Sequence, residues 1–415
     1  MDHFTYKDNH LFAEEIAINN IAQDIPTPFY VYSKATLLHH ANILKQALDG
    51  TNALIAFAVK TNSNLAVLKI LGDAGLGADT VSVGEIKRAL KAGIAPNKII
   101  FSGVAKTAAD IEFALHTKIK QINVESENEL YTIESVAQNL GLVAPIAFRV
   151  NPDVDAGTLK DITTGTKENK FGISVDKAES LYSYASSSPH LKTIGLATHI
   201  GSQIPTVEPF AAAWAVVGDL IEKLKSKGYD VPSFDLGGGL GIPYYDNQAH
   251  LLPNEWGNAA KHIQELTGCE IIVEPGRMIA GNAGIMVSKV IYNKQGDGKE
   301  FVILDAGMND LARPAIYKSQ HTIIPVDMIE GEKRKVDVVG PICESTDLFA
   351  KDYLLEAIKE GHLVAFRTAG AYGAVMGNSY NSRPIIAEIL VDGNKYHIIR
   401  KILPIEDIID LDIIP

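Results

Sequence analysis

The chain has 415 residues, 46% of them hydrophobic and 21% charged, with a formal net charge of −12. That length exceeds one ordinary core and predicts two domains. The acidic balance and the lack of a Lys/Arg stripe exclude a nucleic-acid footprint, and otherwise speak only for solubility.

The opening stretch MDHFTYKDNHLFAEEIAINN carries acidic side chains early and has no apolar core of the kind a secretory signal needs. No apolar run approaches the roughly 18–20 residues that span a bilayer. The two cysteines, Cys269 and Cys343, cannot build a disulfide framework. A cytoplasmic protein with no membrane partner is therefore expected. Neither zinc spacing nor HExxH occurs, so no metal site is expected.

From about residue 30 to residue 275, short apolar runs alternate with stretches of helical period. The runs are LIAFAVK, GADTVSVG, KIIFSGVA, QINVES, PIAFRVN, IGLATHIG, SFDLGGG and EIIVEPG. The first five begin roughly 20–25 residues apart, the pitch of one strand, one helix and two loops. Between them, GEIKRALKAG places apolar residues at 86, 89 and 90 and a stop at Gly93. Eight such units predict an α/β protein built on a (β/α)8 TIM-type barrel, with its chemistry at the C-terminal strand ends. After residue 280 the pattern changes to alternating strands joined by turns such as DGNK, which predicts a mostly β second domain. The expected division is a barrel over 28–278 and a β-rich domain made of 1–27 and 279–415, the first 25 or so residues joining its sheet.

The strand ends carry the candidate chemistry. Run one ends on Lys60; run six gives His199 and Ser202; run seven ends in DLGGGLG and run eight in EPGRMIAG. The loops after strands seven and eight form the usual phosphate corner of this barrel. Gly237, Gly238 and Gly239 let backbone come close to a phosphate, and Arg277 can add a charge-assisted fork. A lysine at strand one, a phosphate corner and the carboxylate of Glu274 together suggest pyridoxal phosphate. The lysine amine would hold the aldehyde as a Schiff base, and Glu274 would face the pyridine nitrogen. An ordinary core histidine remains open for His199, and an N-cap or an ion pair to Arg277 for Glu274.

The ordered set FAVKTN, GADTVSVGE, FSGVAKT, RVNPDVDAGT, KFGI, HIGSQ, DLGGGLGI, EPGRMIAG, DAGMNDLARPAIY, GPICESTD and AGAYGAVMGNSYNSRP resembles the diaminopimelate decarboxylases. These belong to the fold-type III pyridoxal phosphate enzymes, with alanine racemase and the eukaryotic-type ornithine decarboxylases. The resemblance runs from about residue 28 to 400 and implies an alanine racemase-like fold. It implies Lys60 as the Schiff-base lysine, His199 stacked on the ring and Glu274 paired with the ring nitrogen. Ser202, Gly238, Gly239, Gly276 and Arg277 would hold the phosphate, and Tyr372 the phosphate or the substrate. Arg277, Arg313, Tyr317 and Glu344 fall at substrate contacts, and Cys343 at the cysteine presented across a homodimer interface with shared active sites. Asp79 is expected to support the site from strand two, and Glu85 to be a charge in a first helical turn. Cys269 matches no motif and is expected in the core.

What the resemblance implies is decarboxylation of meso-2,6-diaminopimelate to L-lysine and carbon dioxide, the last step of lysine biosynthesis. Lys60 or Cys343 would return the proton. Two arginines and Glu344 suit a distal end bearing both carboxylate and ammonium, whereas ornithine has no use for the arginines. Other readings are a decarboxylase of the same fold acting on ornithine, arginine or carboxynorspermidine, a non-catalytic binding relative, and a metal-dependent barrel hydrolase. One departure stands out: DAGT continues as Leu159, Lys160 and Asp161 instead of the family's His-Pro-Tyr-like stretch, which bears on loop closure and rate.

Overall fold

A computed structural model of the chain describes residues 2–156, 164–165, 170–245 and 248–415. The chain divides into two compact units. One is His40–Ile242 with Ala249–Met278; the other is Met1–His39, Pro243–Gln248 and Ile279–Pro415.

The first unit is a closed barrel of eight parallel strands. In chain order they are Leu54–Ala58, Gly77–Thr80, Ile99–Phe101, Gln121–Val124, Ala144–Asn151, Leu191–Ala197, Ser233–Asp235 and Glu270–Val273. Each pairs with the next, and strand eight pairs with strand one, closing the ring. A two-residue strand, Ile173–Ser174, adds to strand five. The eight apolar runs of the sequence thus become the eight staves, as the barrel pattern predicts. Ala56, Ile100 and Ile272, from strands one, three and eight, pack with Leu54 inside the ring.

The helices outside form for legible reasons. Val83–Lys91 starts where Ser82 accepts from the Glu85 amide, buries Ile86 and Ala89, and runs out near Gly93 at φ +90°. Ala108–Thr117 carries a full capping box between Thr107 and Asp110. Glu208–Ser226 and Pro253–Thr267 lock together through Trp214 and Trp256, whose rings meet edge-on 5.9 Å apart.

The second unit is β-rich. Its large sheet runs, in spatial order, Leu348–Glu356, Lys333–Val339, Lys299–Leu304, Gly284–Gly296, Phe29–Ser33, Ala387–Asp392 and Lys395–Arg400. Leu363–Phe366 also pairs with Gly284–Gly296 and carries Ile323–Pro325 on its other edge. The DGNK turn joins the last two strands of the chain, as its composition predicts. The first residues differ from expectation. Phe4–Lys7, His10–Ala13 and Ile16–Ala17 form their own three-stranded sheet, touching the neighbouring backbone at a His10–Asp327 bridge and where the Glu15 amide donates to the Gly393 carbonyl. What ties them in is burial: Phe4, Leu11, Ile18 and Ile21 share a core with Val31, Ile285, Val287 and Ile389.

Candidate active site

Lys60 lies two residues past strand one, in the middle of the 3-10 turn Val59–Thr61. The turn is pinned from below. The Ala58 amide donates to the carbonyl of Pro275 at 3.0 Å. A Cβ on Gly276 would come within 2.3 Å of Thr61 Cγ2 and 3.0 Å of Ala58 Cβ. Only glycine lets the EPGR segment lie against the turn that carries the lysine.

The Lys60 amine is half-buried and donates to Asp79 Oδ2 at 3.0 Å. Asp79 is fully buried at the end of strand two and takes a second bond, 2.8 Å, from Ser102 at the end of strand three. Asn123 Nδ2 donates to Ser102 at 3.1 Å, and Gln121 Nε2 to Asn123 Oδ1 at 2.6 Å. The chain of bonds crosses four strand ends and fixes the carboxylate that faces the lysine. Glu85 sits in the first turn of its helix, as expected, accepting from the Val81 amide at 2.8 Å. Burial, with Asp79 adding repulsion, pushes its carboxyl up to about 7.

On the other side of strand one, Asp235 and Glu274 end the neighbouring strands seven and eight, both buried. Burial drives the Glu274 carboxyl well above the ordinary range, and the neighbouring charges of Asp235 and Asp79 push it further. Burial likewise raises Asp235 to about 6, although the Gly237 amide donates to its Oδ1 at 3.0 Å. Asp235 Oδ2 meets no donor among the described residues. Three buried carboxyl groups thus stand round a single lysine amine. A cationic ring N–H fits there and would relieve the strain.

His199, at the end of strand six, accepts from the Gly238 amide on Nδ1 at 3.1 Å. The neutral ring therefore carries its proton on Nε2. Burial first, then the positive charges of Lys60 and Arg149, pushes its pKa well below the ordinary value. Ser202 Oγ accepts from Arg277 NH2 at 3.0 Å and from Nε at 3.3 Å, joining the loops after strands six and eight. In the glycine run, Gly239 has φ +110° and its Cβ would strike the carbonyl of Gly201 at 2.4 Å. A Cβ on Gly238 would meet the Glu274 carbonyl at 2.1 Å. These glycines are thus demanded by backbone packing, and the Gly238 amide serves His199.

The structure adds residues that the sequence reading did not single out: Asp235, Ser102 and Asn123, together with an ion-pair group at strands four and five. Arg149 NH1 donates to Glu125 at 2.8 Å, its guanidinium 4.8 Å from the Phe171 ring centre. Glu125 also accepts from the Gly172 amide at 3.0 Å. Burial raises the Glu125 carboxyl, but Arg149 and Lys106 outweigh it and hold the group below the ordinary range. Nearby, buried Lys106 donates to Glu129 at 2.9 Å. Asp235 is the last residue of a strand run and could have been found by that rule. The others become neighbours only once the barrel closes.

In the β-rich unit, Arg313 and Tyr317 open and close the short helix Arg313–Tyr317. Cys343 and Glu344 stand exposed at the tip of a loop that Asp347 holds from inside, accepting from Ile342 and Met308 amides at 2.6 and 2.7 Å. Asn381 Oδ1 accepts from the Cys343 amide at 2.9 Å, and Tyr380 donates to Glu344 at 2.5 Å. Tyr372 sits half-buried in left-handed backbone, φ 56°. Cys269 is buried, its Sγ 3.1 Å from the Val231 carbonyl. Leu159, Lys160 and Asp161 lie outside the described residues. Among the described residues no cluster of three metal-ligating side chains occurs, and no helix is long and apolar enough to cross a membrane.

An amine beside a carboxylate, further buried acids, and an arginine–serine corner suit an aldehyde-bearing pyridinium with a phosphate tail. Fold and site together define the class of barrel enzymes that use pyridoxal phosphate. Comparison with known proteins agrees, since residues 34–281 match the family described as pyridoxal-dependent decarboxylase, pyridoxal binding domain. The chain is 46% identical to a diaminopimelate decarboxylase of Vibrio cholerae over 97% of its own length and 96% of the relative's. A crystal structure of diaminopimelate decarboxylase from Helicobacter pylori, complexed with L-lysine, superposes with a TM-score of 0.92 at 41% identity, covering 95% of this chain and 98% of that one. One from M. jannaschii gives 0.95 at 34% identity, over 100% and 98%. This chain belongs to the diaminopimelate decarboxylase family of pyridoxal-dependent decarboxylases.

Proposed function

We propose that the chain removes one carboxylate of meso-2,6-diaminopimelate as carbon dioxide and yields L-lysine, closing lysine biosynthesis, with pyridoxal phosphate as cofactor. The observation that carries this reading is the near-full-length identity of 46% to a diaminopimelate decarboxylase. The site chemistry supports it.

When bound, pyridoxal phosphate supplies the electron sink for the broken Cα–carboxylate bond. Lys60 would hold the aldehyde carbon. Its amine, held against Asp79, would be the group that returns a proton to the substrate carbon; Cys343 is the other candidate donor. Glu274, whose carboxyl burial raises, would pair with the ring nitrogen, with Asp235 beside it. His199, uncharged, offers a flat face to the ring. Ser202, Gly239 and the backbone around Gly276 and Arg277 would take the phosphate, Gly238 keeps the histidine in its tautomer, and Tyr372 would touch phosphate or substrate.

Arg313, with Arg277, grips the distal carboxylate; Glu344 accepts from the distal ammonium, and Tyr317 lines the same end. The barrel holds the cofactor, and the β-rich unit completes the site and the interface of a homodimer. The exposed tip bearing Cys343 and Glu344 supports that part of the reading. A cytoplasmic place of action goes with it.

The test is carbon dioxide release by the cofactor-loaded protein from meso-diaminopimelate, L-ornithine, L-arginine and carboxynorspermidine, each alone. Release is expected from meso-diaminopimelate, with Lys60→Ala silent. Release mainly from another substrate would overturn the roles of Arg313 and Glu344.

A further inference from the structure

The β-rich unit holds Arg313 in a clamp that the reading above does not use. The guanidinium carbon lies 4.6 Å from the centre of the Tyr244 ring, and NH1 lies 3.1 Å from Nε2 of His321. His321 is buried, and its Nδ1 stands 2.9 Å from the carbonyl oxygen of Arg367. A carbonyl only accepts, so Nδ1 carries the ring proton and donates it. Nε2 is then the lone-pair nitrogen and accepts from Arg313. Tyr244 is itself held: its ring meets the His321 ring edge-on at 5.3 Å, and Thr322 Oγ1 donates to its carbonyl at 2.9 Å. Tyr244 comes from the segment Pro243–Gln248, which follows the strand-seven glycines in sequence but packs with the β-rich unit.

A guanidinium binds a carboxylate strongly only when the two planes match, and a long flexible side chain has to be held for that. An aromatic face beneath and an acceptor at one edge together define a plane. A carboxylate in place of His321 would hold the plane equally well, but would neutralise the charge a substrate needs. A neutral histidine of fixed tautomer orients the cation without placing a negative charge beside it.

We propose that His321 and Tyr244 are positioning residues that hold the plane of Arg313 for bidentate contact with the distal carboxylate, and so set selectivity for substrates bearing that group. The inference rests on the assignment of Arg313 to the distal carboxylate.

The experiment uses full-length, cofactor-loaded enzyme carrying His321→Leu, His321→Gln or Tyr244→Leu, with Arg313→Lys in parallel. Three ligands separate the effects: meso-diaminopimelate and L-lysine carry the distal carboxylate, and 1,5-diaminopentane does not. For His321→Leu and Tyr244→Leu, the KM for meso-diaminopimelate and the inhibition constant of L-lysine should rise about tenfold. The value of kcat should stay within about twofold. Inhibition by 1,5-diaminopentane and the melting temperature should hold. Glutamine can set Oε1 where Nε2 lies, so His321→Gln should recover most of the loss. Equal weakening of all three ligands, a drop in melting temperature without selectivity, or no change would each overturn the proposal. If Arg313→Lys loses the carboxylate ligands selectively and the clamp variants do not, only the positioning role fails. If Arg313→Lys shows no selective loss either, the assignment of Arg313 falls with it.

Discussion

Asp79 faces the amine of Lys60, and Glu274 and Asp235 end the neighbouring strands eight and seven, so three interacting acids stand round one lysine. Asp79→Asn removes the ion pair but keeps the Ser102 bond in reach. It should weaken cofactor retention by about tenfold or more, read by titrating apoenzyme with pyridoxal phosphate. Unchanged retention would mean the contact is incidental. A second residue-scale expectation concerns Asp310, buried under the start of the Arg313 helix. Burial pushes its carboxyl to about 7, against the Gly307 amide that donates to it at 2.9 Å. An acid raised above its unfolded value of about 4 contributes stability that is complete below that pH and lost as pH rises to about 7. The protein should therefore lose stability relative to Asp310→Asn across that window, by on the order of a few kcal/mol, in paired denaturation curves. Parallel curves would refute the shift. Lys60 was legible because it ends an apolar run, and Glu274 because EPGR ends another. Asp235, Arg149 and the Ser102–Asn123 relay were not, because side chains from separate strands meet only when the barrel closes.

At the scale of elements, the barrel strands were readable as apolar runs because both faces of a parallel barrel strand are covered. Leu348–Glu356 is hard to read as a strand from sequence for a physical reason. Its pairing with Lys333–Val339 shifts register twice and Asp352 takes φ 51°, so inward and outward residues do not alternate cleanly. Phe29–Ser33 is hard to read for the opposite reason: all five residues are buried between two neighbouring strands, and prolines precede it. The turn carrying Lys60 is the element on which the site depends. Gly276→Ala would force a methyl group to 2.3 Å from Thr61 and displace that turn. We expect a loss of about 1–3 kcal/mol in stability and weaker cofactor binding, by calorimetry and titration. A variant that melts and binds like the parent would show that the turn has room to move.

At the scale of the whole molecule, the proposed homodimer with shared sites makes a claim that no single residue can. If Lys60 and Cys343 of one site come from different copies, mixing inactive Lys60→Ala with inactive Cys343→Ala and re-equilibrating should restore activity. Half of the dimers would then be mixed, each with one intact site, giving about a quarter of the parent rate. No recovery would place both residues of a site on one copy. The two-unit organisation was visible in the change of pattern near residue 280; the return of Pro243–Gln248 to the β-rich unit was not, because nothing in its composition separates it from a barrel loop. The most direct test of the central claim is borohydride reduction of the cofactor-loaded protein followed by peptide mass mapping, with and without meso-diaminopimelate. Without substrate the pyridoxyl group should be fixed on Lys60. With substrate it should leave Lys60 and appear on the small molecule. Attachment to another lysine such as Lys106, or a Lys60 tag indifferent to meso-diaminopimelate, would contradict the account.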